Sequence, residues 1–224
     1  MVEHHADALA PLFQAVGEAL HQNQLALNQA DSYNGNHGDH MVEIFTIAAN
    51  AAEEMSSSSL PEAMEHAAAL LLQLPENGSA QVYAHGLEQI AEQFRSRQLE
   101  LDDLLTHVRK ALSDKEQPET HGESNATKSG EVLKALMASL VNWGRIERGQ
   151  PISDRPLDMG TLFEFGMAYL QARQHGGERA EVLADAATSV SPLSSVPHRY
   201  QSGKLAILAL LQAIQRFGRD LPAR

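Results

Sequence analysis

The 224-residue chain contains no cysteine, which excludes disulfides and thiolate metal sites. It is short of positive charge, with 17 Lys and Arg against 29 Asp and Glu and a formal net charge of −12. An acidic chain without a basic cluster is a poor partner for nucleic acid or an anionic membrane surface. No apolar run approaches the roughly 20 residues that a membrane-spanning helix needs. The opening "MVEHHADALAPLF" carries acidic residues and no apolar core, unlike a signal peptide. Aromatics make up only 5%, and strand-like alternation is nearly absent. The expectation from these absences is a cytoplasmic protein whose 43% hydrophobic content builds a core from aliphatic side chains.

What is present is helical periodicity. Leu9, Leu12, Phe13, Val16 and Leu20 recur at i, i+3, i+4 spacing, as one buried helix face requires. "MVEIFTIAANAAEEM" is Ala-rich and continues helically after a loop. In "SSSSLPEAMEHAAALLLQL", Ser59 is placed to cap a helix with Pro61 and Glu62 in the first turn. That helix stops before the breaker "PENGS" at residues 75–79. Further helical patterns cover about 80–97, 100–112, 130–148, 157–174, 178–190 and 202–217. The pattern predicts an all-α fold of eight or nine helices in one domain, residues 1–224. One polar segment, "SDKEQPETHGESNATKSG" at 113–130, interrupts it. Its composition buries too little surface to order itself, and the loop at about 113–129 reads as an insertion or a lid.

Chemistry concentrates in "ADSYNGNHGDHM", residues 30–41. Asp31, His37, Asp39 and His40 can all ligate a metal. Carboxylates suit Mg²⁺ and Mn²⁺, and imidazoles suit zinc, iron or manganese. Gly35 and Gly38 let backbone approach a phosphate closely. A helix is expected to start near Asp39 to Met41, and its N-terminal N–H groups and dipole favour phosphate. A plain polar turn capped by Asn and Asp has the same composition.

The run "LNQADSYNGNHGDHM" resembles the nucleotide-site motif of the dihydroxyacetone kinase L-subunit (DhaL) superfamily, D-x-x-x-G-D-G-D-H-G. It has the longer spacing of the related fatty-acid-kinase type, N-x-x-x-x-x-D-G-D-T-G. The metal positions of that motif fall on Asp31, His37 and Asp39. His37, with Asn36 beside it, stands where the motif has a carboxylate, which removes one charge and one hard oxygen ligand. "NGSAQVYAHGLEQIAEQF", residues 77–94, is similar to the family's G-G-[SA]-S-G-x-L-Y-G segment. There Gly78, Ser79 and the Ala80 backbone take the phosphate-contacting places, and Tyr83 matches the tyrosine. Asn77 and Gln81 replace glycines, and a helix cap by Asn77 or Ser79 is the plain alternative. "ATKSGEVLKAL", 126–136, retains Lys128 and the apolar spacing of a third segment. "PHRYQSGKLAILALLQAI", 197–214, resembles the closing G-H-x-D-P-G-A through His198 and Gly203. Tyr200 or Gln201 stands in place of its aspartate. Lys204 follows and either faces phosphates or is an ordinary first-turn lysine.

The resemblance implies a closed antiparallel barrel of about eight helices, with ADP or ATP and Mg²⁺ (or Mn²⁺) at one end. Asp31, His37 and Asp39 would be metal ligands. His40, Gly78, Ser79, His198, Gly203 and Lys204 would contact the nucleotide. It implies a phosphoryl-transfer component of dihydroxyacetone-kinase type. A DhaK-like or fatty-acid-binding-type subunit would present the acceptor, because no second domain is visible; a homodimer is a further expectation. The departures at His37 and at Tyr200 or Gln201 favour a second reading, a non-catalytic regulatory or assembly module. A third is a His/Asp metal-dependent hydrolase. Trp143 reads as core or interface, Arg155 and Asp158 as solvent-facing. The scattered histidines (His4, His5, His21, His66, His107, His121, His175) read as surface groups, with His85 notable for lying near the phosphate segment.

Overall fold

The computed structural model describes residues 6–97, 178–190 and 197–220. Most of these residues are helical, and no strand occurs among them. A short 3₁₀ turn, Ala6–Ala8, leads into α1 (Leu9–Ala30), α2 (His37–Glu54), α3 (Leu60–Leu71) and α4 (Gly78–Arg97). Then come α5 (Arg179–Val190) and α6 (Pro197–Asp220). The segments expected helical at 100–112, 130–148 and 157–174, the linker at 113–130, Lys128 and Trp143 lie outside the described residues.

Short connections make α1 with α2, and α3 with α4, antiparallel neighbours. The α1–α2 and α3–α4 pairs pack most extensively, α2 joins the two pairs, and α6 lies along α1 with α5 against it. The predicted apolar face of α1 is the buried one: Leu9, Leu12, Phe13, Val16 and Leu20 are all in the core. Alanines fill much of the rest, with Ala48, Ala51, Ala52, Ala63, Ala67 and Ala68 almost fully buried. Small residues let helix backbones approach closely, which suits a sequence poor in aromatics. Three of the rings among the described residues form an edge-to-face chain across α1, α2 and α4. Phe13 and Phe45 centroids lie 6.0 Å apart, and Phe45 and Tyr83 centroids 5.4 Å apart. Such pairs add about 0.5–1.5 kcal/mol beyond their buried area.

The start of α3 follows the sequence closely. Ser59 Oγ accepts from the Glu62 N–H, and Glu62 Oε2 accepts from the Ser59 N–H at 3.0 Å. This reciprocal box satisfies two orphan donors, and Pro61 sits where no N–H is needed. The last helix differs from expectation. It begins at Pro197 rather than near residue 202, so His198 lies in its first turn and Gly203 is buried inside it. Pro197 is preorganised for a first helical position, and packing of the following apolar stripe on α1 overrides the weak helix propensity of Gly203. Among the described residues, no helix is long and apolar enough to cross a membrane.

Candidate functional site

The loop from Asp31 to Asn36 turns the chain between α1 and α2. Asp31 closes α1: its N–H bonds to the carbonyls of Leu27 and Asn28 at 3.1 and 3.2 Å. Its Oδ1 accepts from the Tyr33 N–H at 3.1 Å, a side-chain turn that fixes the chain reversal. Asp31 is only 6% exposed. Gly35 adopts φ +68°, which L side chains resist.

Helix α2 begins at His37, two residues before the predicted start, and its cap comes from elsewhere in the chain. Asn36 occupies the N-cap position but makes no side-chain cap bond. Asn28, near the end of α1, does the work instead. Its Oδ1 accepts from the Gly38 N–H at 2.7 Å and the Asp39 N–H at 3.2 Å. Its Nδ2 donates to Asp39 Oδ1 at 2.8 Å, where Gln24 Nε2 also donates at 2.7 Å. Two first-turn donors of α2 are thereby satisfied from α1, and the Asp39 carboxylate is pinned through one oxygen.

Asp39 is exposed, and its Oδ2 carries no hydrogen bond to a described residue. The Asn28 amide, then the Gln24 amide, holds its carboxyl below the usual carboxylate range; partial burial opposes this and His40 adds a little to it. The sign of the linkage follows. A depressed folded pKa contributes stability that is present above the unfolded pKa and is lost as pH falls through the folded one. The stability difference between wild type and Asp39→Asn in denaturant titrations should therefore be constant near neutrality. It should shrink as pH drops below about 4. A difference that stays flat into acid would show that the two amides do not favour the charged form.

The start of α4 is docked onto this first turn. Asn77 is 2% exposed. Its Oδ1 accepts from the Ala80 N–H at 3.1 Å, the N-cap bond of α4. Its Nδ2 donates to the His40 carbonyl at 3.2 Å and to Glu43 Oε2 at 2.8 Å. Asn77 is thus both cap and bridge. The N–H groups of Gly78 and Ser79 remain unclaimed by described residues. Ser79 is buried, Gly78 is exposed, and a Cβ built on Gly78 meets nothing within 4 Å. His40 is half-buried, with its Nε2 3.2 Å from Asn36 Nδ2. His37 is 7% exposed at the first position of α2. Tyr83 lies one turn along α4 from the segment; burial of its hydroxyl pushes its pKa well above the ordinary value.

Asn77 therefore brings Asp39 and His40, in the first turn of α2, to one corner with Gly78 and Ser79 at the start of α4, while Asp31 closes α1 and His37 opens α2. The last motif behaves differently. Lys204 Nζ pairs with Asp185 Oδ1 of α5 at 2.6 Å, and Tyr200 donates to the same oxygen at 3.3 Å. His85 pairs with Glu88 one turn on, at 3.0 Å, an ordinary surface contact. Among the described residues, no three His, Asp or Glu side chains are grouped to hold a metal ion. Sequence reasoning missed Gln24, Asn28 and Glu43. The available signal was an asparagine near a helix end, a poor helix former just before a loop whose first-turn donors needed an acceptor. No protein-family model, curated protein or solved structure matches the chain.

Proposed function

We propose that this chain is a DhaL-like component that binds ADP or ATP with Mg²⁺ for a phosphoryl-transfer system whose acceptor is presented by a separate subunit. The observation that carries the reading is the corner built by Asn77. An α4 N-terminus with two unclaimed N–H groups and open space at Gly78 is tied to the α2 turn bearing an ionised, exposed Asp39. Free helix N-terminal donors suit phosphate oxygens. The α2 terminus contributes less than its sequence suggests, because Asn28 already holds the Gly38 and Asp39 donors.

Asp39 is the one exposed carboxylate of the three expected ligands. Mg²⁺ keeps several waters and is typically held by one or two carboxylates together with substrate phosphates, so no preformed cage is needed. Asp39 would hold it, with Asp31 and His37 close in sequence but both buried. Bound there, the cation supplies charge neutralisation on the phosphates. The closed eight-helix barrel is part of this proposal. So is a need for a DhaK-like or fatty-acid-binding-type partner, since positioning the acceptor supplies much of the catalysis in phosphoryl transfer.

A thermal-shift titration with ADP tests the reading. With Mg²⁺ present, ligand at 100 times its Kd should stabilise the chain by about 2.7 kcal/mol. With EDTA the shift should vanish, because bare phosphates face a chain of net charge −12. Gly78→Asp places a carboxylate in open space and should abolish the shift while leaving the unliganded melting temperature nearly unchanged. Equal ADP stabilisation with and without EDTA would contradict the proposal. The satisfied Asn28–Asp39–Gln24 network favours the second reading, a non-catalytic regulatory or assembly module, because it gives Asp39 a structural task. That reading predicts no nucleotide-dependent shift under either condition.

A further inference from the structure

The sequence contains two Asn-Gly pairs, Asn34-Gly35 and Asn77-Gly78, and the fold treats them oppositely. Asn-Gly is the pair most prone to spontaneous deamidation, because glycine lacks the Cβ that would hinder attack by its own nitrogen. Asn34 and Gly35 are both exposed in the α1–α2 loop. The Asn34 carboxamide projects from the turn and makes no hydrogen bond to a described residue. Asn77 is 2% exposed, and its carboxamide is held by Ala80, His40 and Glu43. We infer that Asn34 is a site of spontaneous deamidation in the folded protein and that Asn77 is protected from the same reaction by its role as cap and bridge.

The chemistry needs only the chain and water. The Gly35 nitrogen attacks Cγ of Asn34, a C–N bond forms, and the side-chain nitrogen leaves as ammonia with the proton that Gly35 loses. Water then opens the succinimide at one carbonyl or the other, giving aspartate or isoaspartate. Both products add one negative charge, and isoaspartate adds a methylene to the main chain three residues before α2 begins. Formation of the ring requires the Asn34 side chain to swing onto the Gly35 nitrogen, which the exposure of both residues permits. At Asn77 it would require breaking the N-cap of α4 and its contact with α2, so reaction there waits on local opening.

The test is incubation of the native full-length protein at mildly alkaline pH, followed by peptide mass mapping that separates aspartate from isoaspartate. Parallel arms use protein unfolded in guanidinium and the variant Asn34→Gln. In the folded protein, conversion at Asn34 should exceed that at Asn77 by at least about tenfold. In the unfolded arm the two rates should come within a few-fold of each other, and Asn34→Gln should not develop the acidic species that accumulates in wild type. Comparable conversion at both sites in the folded protein would overturn the inference. So would an Asn34 that reacts when unfolded but not when folded.

Discussion

Gly38→Ala is expected to destabilise the protein by about 3 kcal/mol, near the upper end of overpacking costs. A Cβ at this position falls 2.8 Å from Asn28 Oδ1 and collides with the Gln24 carbonyl. Neither neighbour can yield cheaply. One is main chain inside α1, and the other is the side chain that caps α2 through Gly38 and Asp39. Moving Asn28 aside would orphan those two donors, adding the cost of a lost cap, about 1 kcal/mol. For a domain of this size, about 3 kcal/mol corresponds to a melting temperature lower by roughly 6–12 °C, to which a lost cap would add. Gly86→Ala is the control. Nothing lies within 4 Å of its added Cβ in α4, and it should be neutral or stabilise by up to about 1 kcal/mol through helix propensity. Guanidinium denaturation of the two variants decides the matter; equal stabilities would mean that α1 and α2 do not approach as closely as described.

Asn77→Ala is expected to cost about 2 kcal/mol, more than a typical isolated cap. The substitution removes the acceptor for the Ala80 N–H and the donor that ties α4 to His40 and Glu43 of α2. The site is almost fully buried, so water cannot readily replace these bonds. Asn77→Asp separates the two roles. It keeps the cap acceptor, favoured by the helix dipole, but sets a carboxylate against Glu43 and the His40 carbonyl. It should be less stable than wild type at neutral pH and recover as pH falls. If Asn77→Asp matches wild type throughout, the bridge to α2 contributes nothing and only the cap matters.

Local rules carried much of the fold. The Ser59 box was legible because all its parts lie within four residues, and the α1 face because burial follows the 3.6-residue period. The start of α2 was less legible. Asn36 and Asp39 both have the composition of caps, yet the bond that caps α2 comes from Asn28, ten residues upstream of Gly38. Only the antiparallel return of the chain places it there. Gly203 likewise reads as an interruption before an apolar helix, but it is buried within α6 because tertiary packing outweighs a propensity penalty of about 1 kcal/mol. At the candidate site the residue types were visible in the sequence. The division of labour was not: which donors of α2 are already used, and that α4 offers the open ones, depends on a contact between residues 37 positions apart.

In the proposed function, Asp39 is the carboxylate that makes nucleotide binding metal-dependent. The most direct measurement is a calorimetric titration of wild type and Asp39→Asn with ADP, each with Mg²⁺ and with EDTA. Asparagine can still accept the Gln24 and Asn28 amide bonds, so the fold should persist and any change reports on the charge. Wild type should bind only with Mg²⁺, and Asp39→Asn should bind with an affinity at least about tenfold lower, a loss of about 1.4 kcal/mol. Undiminished Mg²⁺-dependent affinity in Asp39→Asn, or no binding by wild type under any condition, would contradict the proposed function.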